Sequence, residues 1–78
     1  MVDTSKLVND LLKKRNDIET RNDKFKSLSI RKYAELIDVN VDLLRKLFDY
    51  SQPSLKTLER ICIFLNKKVD EYLINDNV

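Results

Sequence analysis

Ten of the fifteen Lys and Arg side chains lie between residues 24 and 68, against five Asp and Glu there, an excess of +5 in a chain whose net charge is +2. Ammonium and guanidinium groups gathered in this way can attract and hydrogen-bond a polyanion such as phosphate. The remainder is balanced or acidic: residues 1 to 23 hold five bases and five acids, and residues 69 to 78 hold three acids and no base. Other chemistries lack their groups. With no histidine and a single cysteine, Cys62, a zinc or haem site has almost no ligands to draw on, so no metal and no cofactor is expected. The carboxylates are scattered among lysines and arginines, as on solvated faces, rather than converging as acid and base; no enzyme is expected. Cys62 itself falls on an apolar stripe, which predicts a packed, inert thiol and not a redox sensor.

The basic region is built around residues 29 to 48, which read as two short helices meeting at a tight corner. Ser29 can cap the first, and Tyr33, Ala34 and Ile37 share one of its faces. Val39 plugs the corner, which falls at Asp38. Asn40 can cap the second helix, whose Leu44, Leu47 and Phe48 again share a face. The small Ala34 midway along the first helix lets the second cross closely, as a helix-turn-helix requires.

Before this unit, Leu7, Val8, Leu11, Leu12 and Ile18 make a stripe that predicts a helix of residues 5 to about 21, starting after Thr4 or Ser5. Asn22-Asp23-Lys24 reads as its break, with Phe25 and Leu28 able to tuck the next segment back onto the core. After the unit, Ser54 starts a helix running to about Asn66 that buries Leu58, Ile61, Cys62 and Leu65. Ile63 and Phe64 fall off that stripe, and with Tyr72 and Leu73 they could form a contact surface for a second copy. Seventy-eight residues make one domain, residues 1–78, with a small core. No apolar run approaches the roughly 18 residues of a membrane span, and Met1 to Lys6 does not open a signal peptide, so a cytoplasmic protein is expected.

The stretch 29 to 48 resembles the helix-turn-helix of the Cro/C1 (Xre-like) transcriptional regulator family. The likeness continues through Pro53, Ser54, Leu55, Thr57 and Leu58 to Ile61, Cys62, Leu65 and then Val69-Asp70-Glu71-Tyr72-Leu73, covering roughly 45 residues. It implies an all-α, compact five-helix, lambda-repressor-like domain, here with a long first helix or an insertion after it. Glycine is common in that family where helices end, and this chain has none; Asp38, Tyr50 and Asn66 stand in those places. By the same resemblance the second helix of the motif enters the major groove. Asn40, Val41, Asp42, Leu43, Arg45 and Lys46 then face bases, with Arg45 and Lys46 as guanine readers. Arg31 and Lys32 lie near phosphates, and Ser54 with Lys56 at the start of the fourth helix clamps another. The implied function is sequence-specific binding of double-stranded DNA at a two-fold operator by a homodimer, a repressor of phage or bacterial mobile-element type. Two features point elsewhere. Ile30 stands where the family often has glutamine, and Val41, Asp42, Leu43 and Asp49 make the reading face more apolar and acidic than an operator reader's. The alternative is a protein-interaction module on the same scaffold, an antirepressor or antitoxin with a regulatory protein partner.

Overall fold

Each helix starts at a side-chain oxygen that accepts a first-turn amide. The computed structural model describes residues 1–22 and 27–74. Helix α1 spans Thr4–Arg21 and is capped by Asp3, whose Oδ1 accepts the Lys6 amide at 3.1 Å, not by Thr4 or Ser5 as expected. A carboxylate there also faces the positive end of the helix dipole. Helix α2 spans Ile30–Ile37 under a Ser29 cap, with Lys32 N–H donating to Oγ at 3.1 Å. Helix α3 spans Val41–Phe48 under Asn40, whose Oδ1 accepts from Asp42 N–H at 2.7 Å. Helix α4 spans Leu55–Leu65 under Ser54, whose Oγ accepts from Thr57 N–H at 3.2 Å.

Three helix ends use a left-handed residue without any glycine: Asp38 at φ 68°, Tyr50 at φ 66° and Asn66 at φ 56°. In each, two amides fold back onto the last turn. Val39 N–H donates to Ala34 O at 3.0 Å and Asp38 N–H to Glu35 O at 3.2 Å. Ser51 N–H likewise reaches Lys46 O at 3.0 Å, and Lys67 N–H reaches Cys62 O at 2.9 Å. Asp and Asn tolerate this conformation better than other side chains do, whereas a bulky Tyr bears its full steric cost.

The fold is all-helical, but the expected fifth α-helix is a single 3-10 turn over Val69–Tyr72, leaving four α-helices among the described residues. Four residues are too few for a ladder of α-type bonds, and Glu71 closes the turn by accepting the Lys68 amide at 2.9 Å. Among the described residues only an isolated antiparallel bridge, Val2 to Leu73, has extended pairing. The long first helix is present; of the expected break only Asn22 is described, and Phe25 lies outside the described residues.

Helix α1 packs on α3, α4 and the 3-10 turn, and α2 on α3 and α4. The core they share contains Leu7, Leu11, Tyr33, Ala34, Ile37, Leu44, Leu47, Leu58, Ile61 and Cys62. Leu12 is not part of it. About 100° further round the helix than Leu11, it is 46 % exposed. Leu65 is only half-buried. Tyr33 passes through the core so that its hydroxyl donates to Leu11 O at 2.6 Å, and Phe64 packs edge-on against its ring at 5.6 Å. The expected contact surface therefore splits: Ile63 and Leu73 face out, while Phe64 turns in and Tyr72 is fully buried, its hydroxyl donating to Asp10 Oδ2 at 2.6 Å. Burial raises both phenols above their usual range, and at Tyr72 the Asp10 carboxylate adds to the rise. Among the described residues no helix is long and apolar enough to cross a membrane.

Candidate nucleic-acid interface

Helix α3 buries Leu44 and Leu47 and presents Asp42, Leu43, Arg45 and Lys46 to solvent, because eight residues at 3.6 per turn give one inward and one outward face. Val41 is half-buried and packs against the core, so its methyl groups serve α3's seating as much as any surface. Leu43 is 44 % exposed at the centre of the outward face. Arg45 does not stand alone. Its guanidinium lies 3.5 Å from Asp42 one turn back, an exposed pair of little energetic weight that still aims the side chain toward the start of α3.

The starts of α3 and α4 open onto one groove of about 490 Å³, lined by Asp38, Asn40, Leu43, Ser54, Lys56 and Arg60 among others. Four of the residues singled out from the sequence thus come together: Asn40, Leu43, Ser54 and Lys56. Two helix N-termini facing one space add their positive dipole ends to the Lys56 and Arg60 charges, which suits an anion. Lys56 makes no ion pair among the described residues, while Arg60 bonds Asp38 at the corner between α2 and α3. Arg60 is the residue the sequence reading missed. It lies four residues after Lys56 and therefore on the same face of α4, a spacing that was there to be used.

The other expected residues lie apart from that groove. Lys46 borders a smaller recess with Leu43, Ser51 and Gln52. Arg31 and Lys32 are exposed on the first turn of α2, where Lys32 lies 3.5 Å from Glu35. Ile30 is half-buried and packed against the core. Cys62 is buried, and burial foremost, with Glu71 second, raises its thiol above the usual value; this is the environment of an inert thiol.

Searches against protein-family models, curated proteins and solved structures give no match to this chain.

Proposed function

We propose that this protein is a sequence-specific DNA-binding transcriptional regulator whose α2 and α3 act as a helix-turn-helix of the Cro/C1 type. The observation that carries the reading is the shared groove: Asn40 and Leu43 at the start of α3 and Ser54 at the start of α4 line one space together with Lys56 and Arg60. On this reading α3 lies in the major groove, Arg45 and Lys46 offer paired donors to guanine, and Asn40 and Leu43 meet neighbouring base edges. Arg31, Lys32, Ser54 and Lys56 hold the backbone. Two copies bound to half-sites one helical turn apart would exclude polymerase from a promoter. A gel shift with DNA from upstream of the protein's own gene, at two salt concentrations, tests this. A shifted band whose affinity falls steeply with salt supports the reading, and its absence at low salt refutes it.

A second reading has its own support. Leu43 stands exposed at the centre of the face, with Asp42 beside it and Asp49 just beyond α3. An apolar centre rimmed by both signs of charge suits a protein partner, as in an antirepressor or antitoxin. Replacing Leu43 by Ala separates the two, because it abolishes partner capture in the second case and only trims affinity for DNA in the first.

A further inference from the structure

Val2 is 8 % exposed, so its backbone N–H and C=O need partners. Its neighbours form the ladder with residues 72 to 74: Asp3 N–H donates to Tyr72 O at 2.7 Å and Ile74 N–H donates to Met1 O at 2.8 Å. Val2 faces Leu73 as the non-bonded pair between them, which turns its own polar groups to the opposite side. There they meet one side chain. Val2 N–H donates to Gln52 Oε1 at 2.8 Å, and Gln52 Nε2 donates to Val2 O at 2.9 Å. The Gln52 amide stands where the peptide of a third strand would.

Gln52 belongs to the short loop between α3 and α4. On one side Ser51 N–H is bonded to Lys46 O at the end of α3, and on the other Ser54 caps α4. Beneath the loop is a recess of about 90 Å³ bordered by Leu43, Lys46, Leu47, Gln52, Pro53 and Thr57. Apolar packing beneath the loop is thus interrupted, and its hydrogen bonds at Ser51, Gln52 and Ser54 help to hold it.

We propose that Gln52 is a positioning residue for the α3 surface: its clasp on Val2 ties the loop after α3 to the paired segments 1–3 and 72–74 and thereby holds Leu43 and Lys46 in place. In its last step, the effect on DNA recognition, this rests on the function proposed above. Opening the clasp takes from the Val2 N–H and C=O their side-chain partner, leaving them to the water that the exposed Gln52 otherwise keeps off, and lets the loop move over the recess. The α3 face then reaches its binding arrangement only part of the time, and apparent affinity falls by that fraction.

The test uses Gln52→Ala and Gln52→Glu. A carboxylate at 52 accepts from Val2 N–H but repels Val2 O, whereas the protonated acid accepts from the first and donates to the second. The Glu variant should therefore be open near neutral pH and closed in acid, with the wild type at both pH values as the reference. Two readouts are taken at a temperature where circular dichroism shows every variant folded. The first is binding to a duplex selected from a random pool by the wild-type protein, compared with a random duplex of equal length. Gln52→Ala should bind the selected duplex about 5- to 30-fold more weakly, as a loss of one or two hydrogen bonds implies, and the random duplex within about twofold. Gln52→Glu should match it near pH 7 and recover toward wild type near pH 4, where an ordinary glutamate is largely protonated. The second readout is the set of amide resonances of Leu43 and Lys46, which should shift in Gln52→Ala and return in Gln52→Glu on acidification. Lower melting temperatures with unshifted α3 amides would overturn the positioning role. Failure of the wild type to enrich any duplex would refute the DNA reading separately, and the amide shifts would still decide the clasp.

Discussion

Tyr50 at φ 66° supplies a stability measurement whose sign is unusual. In a helix interior, glycine is less stable than alanine by about 0.8 to 1.0 kcal/mol because its unfolded chain has more freedom to lose. At a left-handed position the Cβ of alanine meets the carbonyl oxygen at a cost of about 1 to 2 kcal/mol, which exceeds that entropy difference. The pair Tyr50→Ala and Tyr50→Gly removes the 58 % exposed ring from both proteins, so lost ring burial cancels and only the backbone effect remains. Glycine should win by about 0.5 to 1 kcal/mol, or roughly 2 to 8 °C in melting temperature for a domain of this size. The control is Lys13→Ala against Lys13→Gly, at an exposed position within α1, where alanine should win by about 1 kcal/mol. Thermal melts of the four variants by circular dichroism suffice. If both pairs favour alanine, the left-handed strain assigned to the end of α3 is absent and the loop geometry is wrong.

Replacing both Arg45 and Lys46 by Ala should cost roughly 2 to 5 kcal/mol in binding to a selected duplex while barely moving the melting temperature; intact binding would remove the proposed mode of recognition. Cys62 should react with a thiol reagent far more slowly in the native protein than in denaturant, and equal rates would show that the α4 register is wrong. Tyr33 and Tyr72 are raised in the folded state, so their contribution to stability is fully present below the unfolded phenol value near pH 10 and is lost as pH rises beyond it. Denaturant melts across pH 8 to about 11.5 should show this fall, and Tyr33→Phe should flatten it; a curve unchanged by that substitution contradicts the assignment.

Helix starts were legible wherever one good acceptor stood at the head of an apolar pattern, as Ser29, Asn40 and Ser54 do. Near residue 4 three candidate caps adjoin, and side-chain type cannot separate Asp3 from Thr4 and Ser5; only the placement of α1 against the 3-10 turn does. The left-handed ends at Asp38 and Asn66 could be read because the resemblance marks those positions and both side chains tolerate that conformation, whereas a tyrosine gives no such sign and the resemblance marks Tyr50 only as a usual place for glycine. Tyr72 was misjudged because its partners, Asp10 and Lys6, lie more than sixty positions away, and no periodicity encodes that distance. Gln52 on Val2, 50 positions apart, and Arg60 on Asp38, 22 apart, also lie beyond any local period. Local rules give the helices and their faces, while the polar ties between distant segments come from the packing those faces produce.

Those ties bear on how the α3 surface could discriminate. Arg45 is held by Asp42, and Arg60 by Asp38, so two of the four cations on the outward sides of α3 and α4 start with an anionic partner, whereas Lys46 and Lys56 have none among the described residues. A phosphate approaching Arg45 must displace a carboxylate and then sit near it. A guanine edge offers two acceptors with partial rather than formal negative charge, so Asp42 repels it less than it repels a phosphate. Exposed pairs of this kind are worth at most about 1 kcal/mol, so the penalty on any one contact is small, yet it weighs more on backbone contacts than on base contacts. On the DNA-binding reading, Asp42 would then act as a local filter against indiscriminate polyanion binding. Removing it by Asp42→Ala should strengthen binding to a random duplex, within about fivefold at low salt, and strengthen binding to a selected duplex by less. A competition gel shift reads the ratio directly. Equal gains on both duplexes would show that Asp42 opposes DNA generally and contributes nothing to discrimination.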